Sequence, residues 1–179
     1  NWIIVDLHNG QGAIGGHVVT MSGIEEVFGG DNHDRLHDGA GANERWGGRG
    51  NDTLRDTNAG GRHAYHGNQG YDTFEVYSGI GADSFFGGAG RERIDWSHSP
   101  ENTATFDLVA GEARDANGNV EEMRSICDLI GTAQGDTIIE NGAANDIDGH
   151  GGNDMFIMTS NIRNDTFRGG AGRDTIDWS

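Results

Sequence analysis

Acidic side chains recur at fixed intervals along this chain, each inside a short run of glycines. In GGRGNDTLR at 47–55 the acid is Asp52, and in GGAGRDTID at 169–177 it is Asp174. Carboxylates and backbone carbonyls are the oxygen ligands that hard divalent cations prefer. Glycine lets a turn adopt positive φ and point its carbonyls inward. The spacing therefore predicts cation binding in turns, and no feature singles out two other carboxylates as an acid–base pair.

The interval is nine residues, and twelve copies align in one register. The odd copies are 29–37, 47–55, 67–75, 87–95, 131–139, 149–157 and 169–177, and the even copies are 38–46, 58–66, 78–86, 140–148 and 160–168. The eighth place is apolar in every copy except at Arg45, which we expect either to extend to the surface or to pair with an acid. The eighth places are Leu36, Arg45, Leu54, Tyr65, Phe74, Phe85, Ile94, Ile138, Ile147, Phe156, Phe167 and Ile176.

A second, longer repeat divides the chain into two related units. Gly87–Arg91 matches Gly169–Arg173, and the Ile-Asp-Trp-Ser run at 94–97 recurs at 176–179. The first unit carries about 20 extra residues, which we place at 47–66 as one inserted structural layer. We predict a capping lead-in at 1–28, a first unit at 29–97, lead-in coils or a spacer at 98–130, and a second unit at 131–179.

The nonapeptide pattern G-G-x-G-x-D-x-U-x resembles the calcium-binding repeat of the repeats-in-toxin (RTX), or hemolysin-type, family. The lead-in at 126–132 also resembles the capping coil of such proteins. The resemblance implies an all-β, right-handed parallel β-roll in which two nonapeptides form one coil. It also implies a bacterial protein that leaves the cell by type I secretion and folds outside, where calcium is abundant.

Physical reasoning from the residues agrees with that fold. A three-residue strand gains stability only when it stacks on equivalent strands in a parallel sheet, and two such sheets can enclose the eighth-place side chains. This core is too thin to offset the conformational entropy of so much glycine, so bound calcium must add stability. One turn offers too few oxygens, and we expect each ion to bridge successive turns on one edge.

The sixth-place residues distinguish a calcium-rich edge, formed by odd copies, from a degenerate edge formed by even copies. About five Ca²⁺ sites are expected between Asp34/Asp52, Asp52/Asp72, Asp72/Glu92, Asp136/Asp154 and Asp154/Asp174, of which the Glu92 site is the poorest fit because the side chain is longer. The candidate ligands are Gly29, Gly30, Asn32, Asp34, Gly47, Gly48, Gly50, Asp52, Gly67, Gly70, Asp72, Gly87, Gly88, Gly90, Glu92, Gly131, Asp136, Gly149, Gly152, Asp154, Gly169, Gly170, Gly172 and Asp174, with weaker candidates at Asn43, Asp83, Asn145 and Asp165.

Composition narrows the class of function. The 179 residues include 32 Gly and carry a net charge of −17, and every basic residue is Arg. Such a polyanion repels nucleic acid and anionic lipid and attracts cations. No apolar run is long enough to cross a bilayer. Because the chain starts at Asn1 and its single Cys127 cannot form an internal disulfide, we expect a piece of a longer protein that is stabilised by packing and metal.

Several features have competing interpretations. The segment 98–130 contains no nonapeptide; Thr103–Val109 alternates like a strand, Glu121–Ile130 is spaced like a short helix or a leucine-rich coil, and we favour extra coils over a separate globular spacer. Residues 113–119 have some character of an EF-hand loop but lack its downstream Glu. Trp96 and Trp178 are expected to pack on a following coil, with sugar stacking as the alternative. His33, His37, His63 and His66 could bind zinc, although solvated turn histidines explain them better.

The sequence thus predicts a non-catalytic, calcium-folded repeat segment of a larger secreted or cell-surface bacterial protein, with a structural, adhesive or secretion-assisting role. The alternative is an accessory region of a secreted protease, lipase, alginate epimerase or toxin whose catalytic domain lies elsewhere. Calcium is the expected partner, together with neighbouring repeat units of the same longer chain. No catalytic signature such as a nucleophile elbow or a His-Glu-x-x-His helix is present.

Overall fold

Short strands joined by tight turns account for the whole of the described structure. A computed structural model describes residues 2–57, 61–100, 103–159 and 163–178, and these contain strands and no helix. The strands are β1 (Ile3–Asp6), β2 (Gln11–Ile14), β3 (His17–Thr20), β4 (Glu26–Gly30), β5 (Arg35–His37), β6 (Glu44–Arg49), β7 (Thr53–Asp56), β8 (Ala64–Gly70), β9 (Thr73–Val76), β10 (Ser84–Gly90), β11 (Arg93–Asp95), β12 (Ala104–Asp107), β13 (Glu112–Asp115), β14 (Val120–Arg124), β15 (Asp128–Ile130), β16 (Thr137–Ile139), β17 (Asp146–Asp148), β18 (Met155–Ile157), β19 (Thr166–Arg168) and β20 (Thr175–Asp177).

The strands form two ten-stranded sheets, and the chain alternates between them. The first sheet has the order β19-β17-β15-β11-β9-β7-β5-β1-β2-β3, and the second has β20-β18-β16-β12-β13-β14-β10-β8-β6-β4. Equivalent strands of successive coils pair in parallel, as Leu36, Leu54 and Phe74 do across β5, β7 and β9. The molecule is an all-β solenoid of the parallel β-roll type, as the repeat pattern predicts. Among the described residues there is no helix of the length and apolar character that a membrane span requires.

The eighth-place side chains form the core between the two sheets. Those from Leu36 to Phe156 are buried, which confirms the predicted inward column, whereas Phe167 is half-buried and Ile176 is exposed at the end of the roll. The neighbouring seventh and ninth places face outward. Arg55 and Glu75, for example, form an ion pair at 2.6 Å across β7 and β9. The core is therefore a single layer of side chains, in agreement with the three-residue strands.

Arg45 lies inside this layer. Its side chain is fully buried, its Nη2 donates a hydrogen bond to Asn43 Oδ1 at 2.8 Å, and its guanidinium lies 5.0 Å from the centre of the Tyr65 ring. Two acids of the first sheet are buried nearby: Asp38, which follows β5, and Asp56, the last residue of β7. Burial raises the pKa of Asp56 to about 7. Arg45 therefore does not extend to the surface; it lies beside acids inside the roll.

Two three-stranded antiparallel meanders interrupt the parallel stacking. β1, β2 and β3 form one in the first sheet, and β12, β13 and β14 form the other in the second sheet. β14 pairs in parallel with β10, and β12 pairs in parallel with β16, so the segment 103–130 continues the roll. Thr103–Val109 contains the predicted strand, as β12. For the stretch 121–130 the sequence left two alternatives open, a short helix or a leucine-rich coil. In the structure it contributes to the strands β14 and β15.

The connection between the two units also exchanges the two edges of the roll. In the first unit, an odd turn such as 29–34 leads from the second sheet into the first. In the second unit, the odd turn 131–136 leads from β15 in the first sheet to β16 in the second. The expectation of one calcium-rich edge formed by all odd copies is therefore wrong. The odd turns of the two units lie on opposite edges, because the chain crosses between the sheets an odd number of times from β11 to β16: from β11 to β12, from β14 to β15 and from β15 to β16.

Candidate calcium-binding turns

The sixth-place aspartates of the odd turns connect successive coils through their Oδ1 atoms. The Asp34 amide donates to Asp52 Oδ1 at 2.8 Å, and the Asp52 amide donates to Asp72 Oδ1 at 2.9 Å. The second unit repeats this pattern from Asp136 to Asp154 at 2.8 Å and from Asp154 to Asp174 at 3.0 Å. Four of the five predicted carboxylate pairs are thus adjacent in the structure. No such bond joins Asp72 to Glu92 among the hydrogen bonds of the described residues.

Each meander begins with an amide that joins the same series. The Ile3 amide donates to Asp34 Oδ1 at 2.7 Å, and the Ala104 amide donates to Asp136 Oδ1 at 2.8 Å. Sequence reasoning missed both donors because neither residue belongs to a nonapeptide. The longer repeat, which pairs the two lead-ins, was the available signal.

The second carboxylate oxygen of these aspartates points into the turn and is unsatisfied. The Oδ2 atoms of Asp34, Asp52, Asp72 and Asp154 are buried and have no hydrogen-bond partner. A buried, unpaired carboxylate oxygen is costly, so such an atom calls for a cation or a proton. The same side chain is held in place by its Oδ1 bond, which fixes the direction in which Oδ2 points.

Glycine at the first place provides the space in front of that oxygen. A Cβ on Gly29 would lie 2.6 Å from Asp34 Oδ2, and a Cβ on Gly131 would lie 2.7 Å from Asp136 Oδ2. A Cβ on Gly67 would lie 2.6 Å from the Gly87 carbonyl oxygen of the next coil as well as close to Asp72 Oδ2. Real Cβ atoms essentially never approach another atom within 3.0 Å. The space that glycine leaves open is therefore lined by a carboxylate oxygen and by a carbonyl from the following coil.

The fourth-place glycines are required for a different reason. Gly70 has φ of 147°, and a Cβ there would overlap the Gly50 carbonyl of the preceding coil. Gly50 itself has φ of 125° and lies against the Asn32 carbonyl. Side chains would be strained and would keep the coils apart. The predicted glycines of the second and fourth places therefore stack one turn closely on the next.

Burial disfavours the charged form of these carboxylates in the absence of a cation. Desolvation raises the pKa of Asp52 to about 6, and the negative charges of Asp72 and Asp34 add to the shift. Desolvation likewise raises the pKa of Asp154 to about 6, with Asp136 and Asp174 as charged neighbours. A bound divalent cation would compensate the charge that desolvation disfavours.

Two of the predicted odd turns differ from the rest. Asp136 Oδ2 accepts a hydrogen bond from the Thr132 amide at 2.7 Å, and Thr132 Oγ1 bonds to the same carboxylate. Thr132 stands where the other odd turns have a second glycine, Asn68 or His150, so its hydroxyl satisfies the oxygen that is unpaired elsewhere. At Glu92 the extra methylene places Cγ beside Gly87, and Oε1 lies 2.6 Å from a Cβ position on Gly90. The carboxylate of Glu92 thus lies beside the fourth-place Gly90 and not beside the first-place Gly87.

Acids at the first place of an even copy, one in each unit, accept hydrogen bonds from a later threonine. Asp38 Oδ1 accepts bonds from the Thr57 amide at 2.9 Å and from its hydroxyl at 2.5 Å. Glu140 Oε1, the equivalent of Asp38 in the second unit, accepts from the Thr159 amide at 2.6 Å and from its hydroxyl. The nonapeptide pattern does not single out these acids, although both stand at the first place of an even copy.

The weaker candidates at the sixth places of the even turns are also engaged. Asn43 Oδ1 accepts from the Gly39 amide and from Arg45, and Asp83 Oδ1 accepts from the His63 amide at 2.6 Å. Asp165 Oδ1 accepts from the Asn145 amide at 2.8 Å, and Asn145 Nδ2 donates to the Cys127 carbonyl. These residues hold even turns together through direct contacts.

The remaining motifs have structural explanations. His33 Nδ1 accepts from the Asn51 amide at 2.6 Å, whereas His66 stacks between Trp46 and Phe86 on the outer face of the second sheet. His63 is buried, so the expectation of a solvated turn histidine is wrong there. Within the described ranges, no group of three or more His, Cys, Asp or Glu side chains is arranged to hold a metal ion by side chains alone. Any ligand shell in these turns must therefore draw on backbone carbonyls.

The loop at 113–119 and the two repeated tryptophans can also be placed. Asp115 Oδ1 accepts from the Asn117 and Asn119 amides, which closes the turn between β13 and β14 internally. Trp96 is buried against Phe106 of β12, as expected for packing on a following coil, whereas Trp178 is 65% exposed.

A comparison with protein families agrees with this geometry. The model of the RTX calcium-binding nonapeptide repeat matches four copies in this chain, at residues 20–54 and 159–177. Over these residues, which are less than half of the chain, the sequence matches RTX repeats. The odd turns described above offer the oxygens that Ca²⁺ prefers. These are a buried Oδ2 and carbonyls of the next coil, and they line a space that only glycine leaves open. No curated protein matches the chain.

Proposed function

We propose that this RTX chain is a calcium-folded structural segment in which Ca²⁺ binds between successive odd turns. The observation that carries the proposal is the set of buried, unpartnered Oδ2 atoms of Asp34, Asp52, Asp72 and Asp154, each facing the space of a first-place glycine. Six to eight oxygens at about 2.3–2.6 Å complete a calcium shell. One turn supplies too few, so the stacked turns must act together, and binding becomes coupled to folding.

The number of ions follows from the carboxylates that are free to bind one. About five sites are expected from the sequence, and Thr132 and the reach of Glu92 make the sites at 131–136 and 87–92 the weakest of them. Five ions would compensate about ten of the 17 negative charges. The even turns are not expected to bind calcium, because their carboxylates already accept hydrogen bonds from Thr57 and Thr159.

We further propose that the segment belongs to a larger secreted bacterial protein and has no catalytic role of its own. An acidic, glycine-rich chain without Lys has little apolar surface to offset its conformational entropy, so it should remain unfolded where calcium is scarce. Calcium affinities on the order of 10⁻⁴–10⁻³ M, as in other extracellular modules, would make it fold only outside the cell. A structural, adhesive or secretion-assisting role fits such a segment.

A calcium titration followed by circular dichroism and calorimetry tests the proposal. The chain should convert from coil to β structure with several ions bound. Asp52→Asn keeps the Oδ1 acceptor but replaces the free Oδ2 by an amide, so it should raise the calcium concentration at the folding midpoint at least about tenfold.

The matched control is Asp83→Asn in an even turn, where Oδ1 accepts the His63 amide in the same way. That variant should leave the calcium midpoint nearly unchanged. Equal shifts for the two variants, or a spectrum that a chelator does not alter, would refute calcium binding in the odd turns.

A further inference from the structure

The molecule contains a joint between its two units. At this joint β14 pairs with β10 in the second sheet, and β15 pairs with β11 in the first sheet, both in parallel. Arg91 of the first unit forms two hydrogen bonds, at 2.7 and 2.8 Å, to the Asp128 carboxylate in the segment that leads into the second unit. Ile126, in the turn between β14 and β15, is buried at this joint.

The two ends of the roll carry the two halves of the same joint. The long repeat makes β19 and β20 equivalent to β10 and β11, and makes β3 and β4 equivalent to β14 and β15. In the described structure β3 pairs only with β2, β4 only with β6, β19 only with β17 and β20 only with β18. Each of these strands therefore presents an open edge, and open edges are templates for further pairing.

Residues that the internal joint buries are exposed at these ends. Ile126 is 3% exposed, whereas its equivalent Ile24 is 41% exposed. Ile94 and Trp96 are completely buried, whereas their equivalents Ile176 and Trp178 are 42% and 65% exposed. The exposed side chains at the two ends are thus apolar, like the equivalent side chains that the internal joint buries.

Charge and sheet order agree with this equivalence. Arg173 is the equivalent of Arg91, and Glu26 is the equivalent of Asp128, so the ion pair of the joint can form again between the two ends. β3 and β19 both belong to the first sheet, and β4 and β20 both belong to the second. The odd turns change edge from the first unit to the second, and they would change back from the second unit to a following first unit. A second complete copy therefore continues each sheet with strands of that same sheet.

We propose that copies of this chain associate end to end, with β19 and β20 of one copy pairing in parallel with β3 and β4 of the next. The contact is heterologous, so the association does not close after two copies and can extend into a filament. It rests on the roll and its internal joint, and it requires calcium only because the roll requires calcium to fold.

Sedimentation velocity over a range of protein concentrations in millimolar calcium tests the proposal. The wild-type chain should form a ladder of oligomers that grows with concentration. Arg173→Glu should weaken the association at least about tenfold, since it opposes like charges at the joint. Glu26→Arg should do the same, and the two charge reversals together should restore it.

Arg49→Glu, an exposed reversal in the middle of the roll, is the matched control and should leave the oligomers unchanged. Circular dichroism on the same samples separates the two proposals, because a chain that does not fold with calcium refutes the first and shows no β spectrum. A folded chain that stays monomeric at all concentrations, or oligomers that are insensitive to Arg173→Glu, would overturn end-to-end association.

Discussion

The first-place glycine of an odd turn determines whether a cation can enter. At Gly47 an added Cβ would lie against Asp52 Oδ2, and at Gly149 it would lie against Asp154 Oδ2 and 2.8 Å from the Gly169 carbonyl. Neither glycine has positive φ, so the requirement concerns space and not backbone strain.

Gly47→Ala should therefore weaken calcium binding by on the order of tenfold, because the methyl group fills the space in front of Asp52 Oδ2. Isothermal titration calorimetry measures this directly. Gly81→Ala is the control: Gly81 lies in an even turn without positive φ, and its nearest neighbours would be 3.8 Å from a Cβ. Equal losses in the two variants would contradict a cation at the first place.

The aspartates of the odd turns also predict how the calcium-free chain responds to pH. The pKa of Asp52 and that of Asp154 rise from 3.8 to about 6 in the folded chain because of burial. Between these values the folded chain binds more protons than the unfolded chain. Their contribution to stability is therefore greatest below pH 3.8 and is lost as the pH rises through about 6.

In the absence of calcium the chain is expected to be mostly coil at pH 7.5, and its β content, measured by circular dichroism, should consequently be higher at pH 5 than at pH 7.5. The double variant Asp52→Asn, Asp154→Asn should flatten this dependence and so separate it from the general effect of net charge. At saturating calcium the sign should reverse, since protons then compete with the ion for the same oxygens. A calcium-free chain that loses stability on acidification would count against raised pKa values for these residues.

The coil of two nonapeptides is the element of this fold, and residues 47–66 are one such coil. Trp46 and His66 occupy equivalent positions on adjacent strands, β6 and β8. Deletion of 47–66 should therefore leave a folded roll that is one coil shorter, with Leu36 packed on Phe74 and with fewer bound ions. Circular dichroism and calorimetry in calcium measure both outcomes.

Deletion of 47–55 alone is the contrasting variant. It removes one nonapeptide, so every later strand would be directed to the opposite sheet and its core residues would lose their neighbours. This shorter deletion should prevent cooperative folding. If it were tolerated as well as the deletion of 47–66, the pairing of copies into coils would be wrong.

The twelve nonapeptides could be read from the sequence because each forms one strand with its eighth-place side chain inward, from β5 to β11 and from β16 to β20. In these stretches the nine-residue period, the glycines of the turn and the sixth-place carboxylates all indicate the same local structure. The sixth-place aspartates were predictable for the same reason, and the structure places four of the five predicted pairs in contact through Oδ1.

The exchange of edges between the units could not be predicted in this way. It depends on how many times the chain crosses between the sheets from β11 to β16, and nothing local in the sequence at 103–130 fixes that number. The sequence left open whether Arg45 extends to the surface or pairs with an acid, because Asp38 and Asp56 come close to it only when the coils stack. Both depend on contacts that are distant in sequence.

At the scale of the whole molecule, charge and packing act against each other. A net charge of −17 on a core one side chain thick favours the expanded chain, and the stacked carboxylates of the odd turns concentrate that repulsion along both edges of the roll. Calcium between the turns converts the same carboxylates into contacts between coils. Stability of the entire roll should therefore depend on the calcium concentration around it.

The succession of equivalent coils has a mechanical consequence. Each coil touches only the coil before it and the coil after it, so tension applied at the two ends of the chain acts on the outermost coil first. When that coil detaches, it exposes the next one and releases any ion held between them. A stretched molecule would thus lengthen in steps of one coil, and ions returning from solution could rewind it when the load falls.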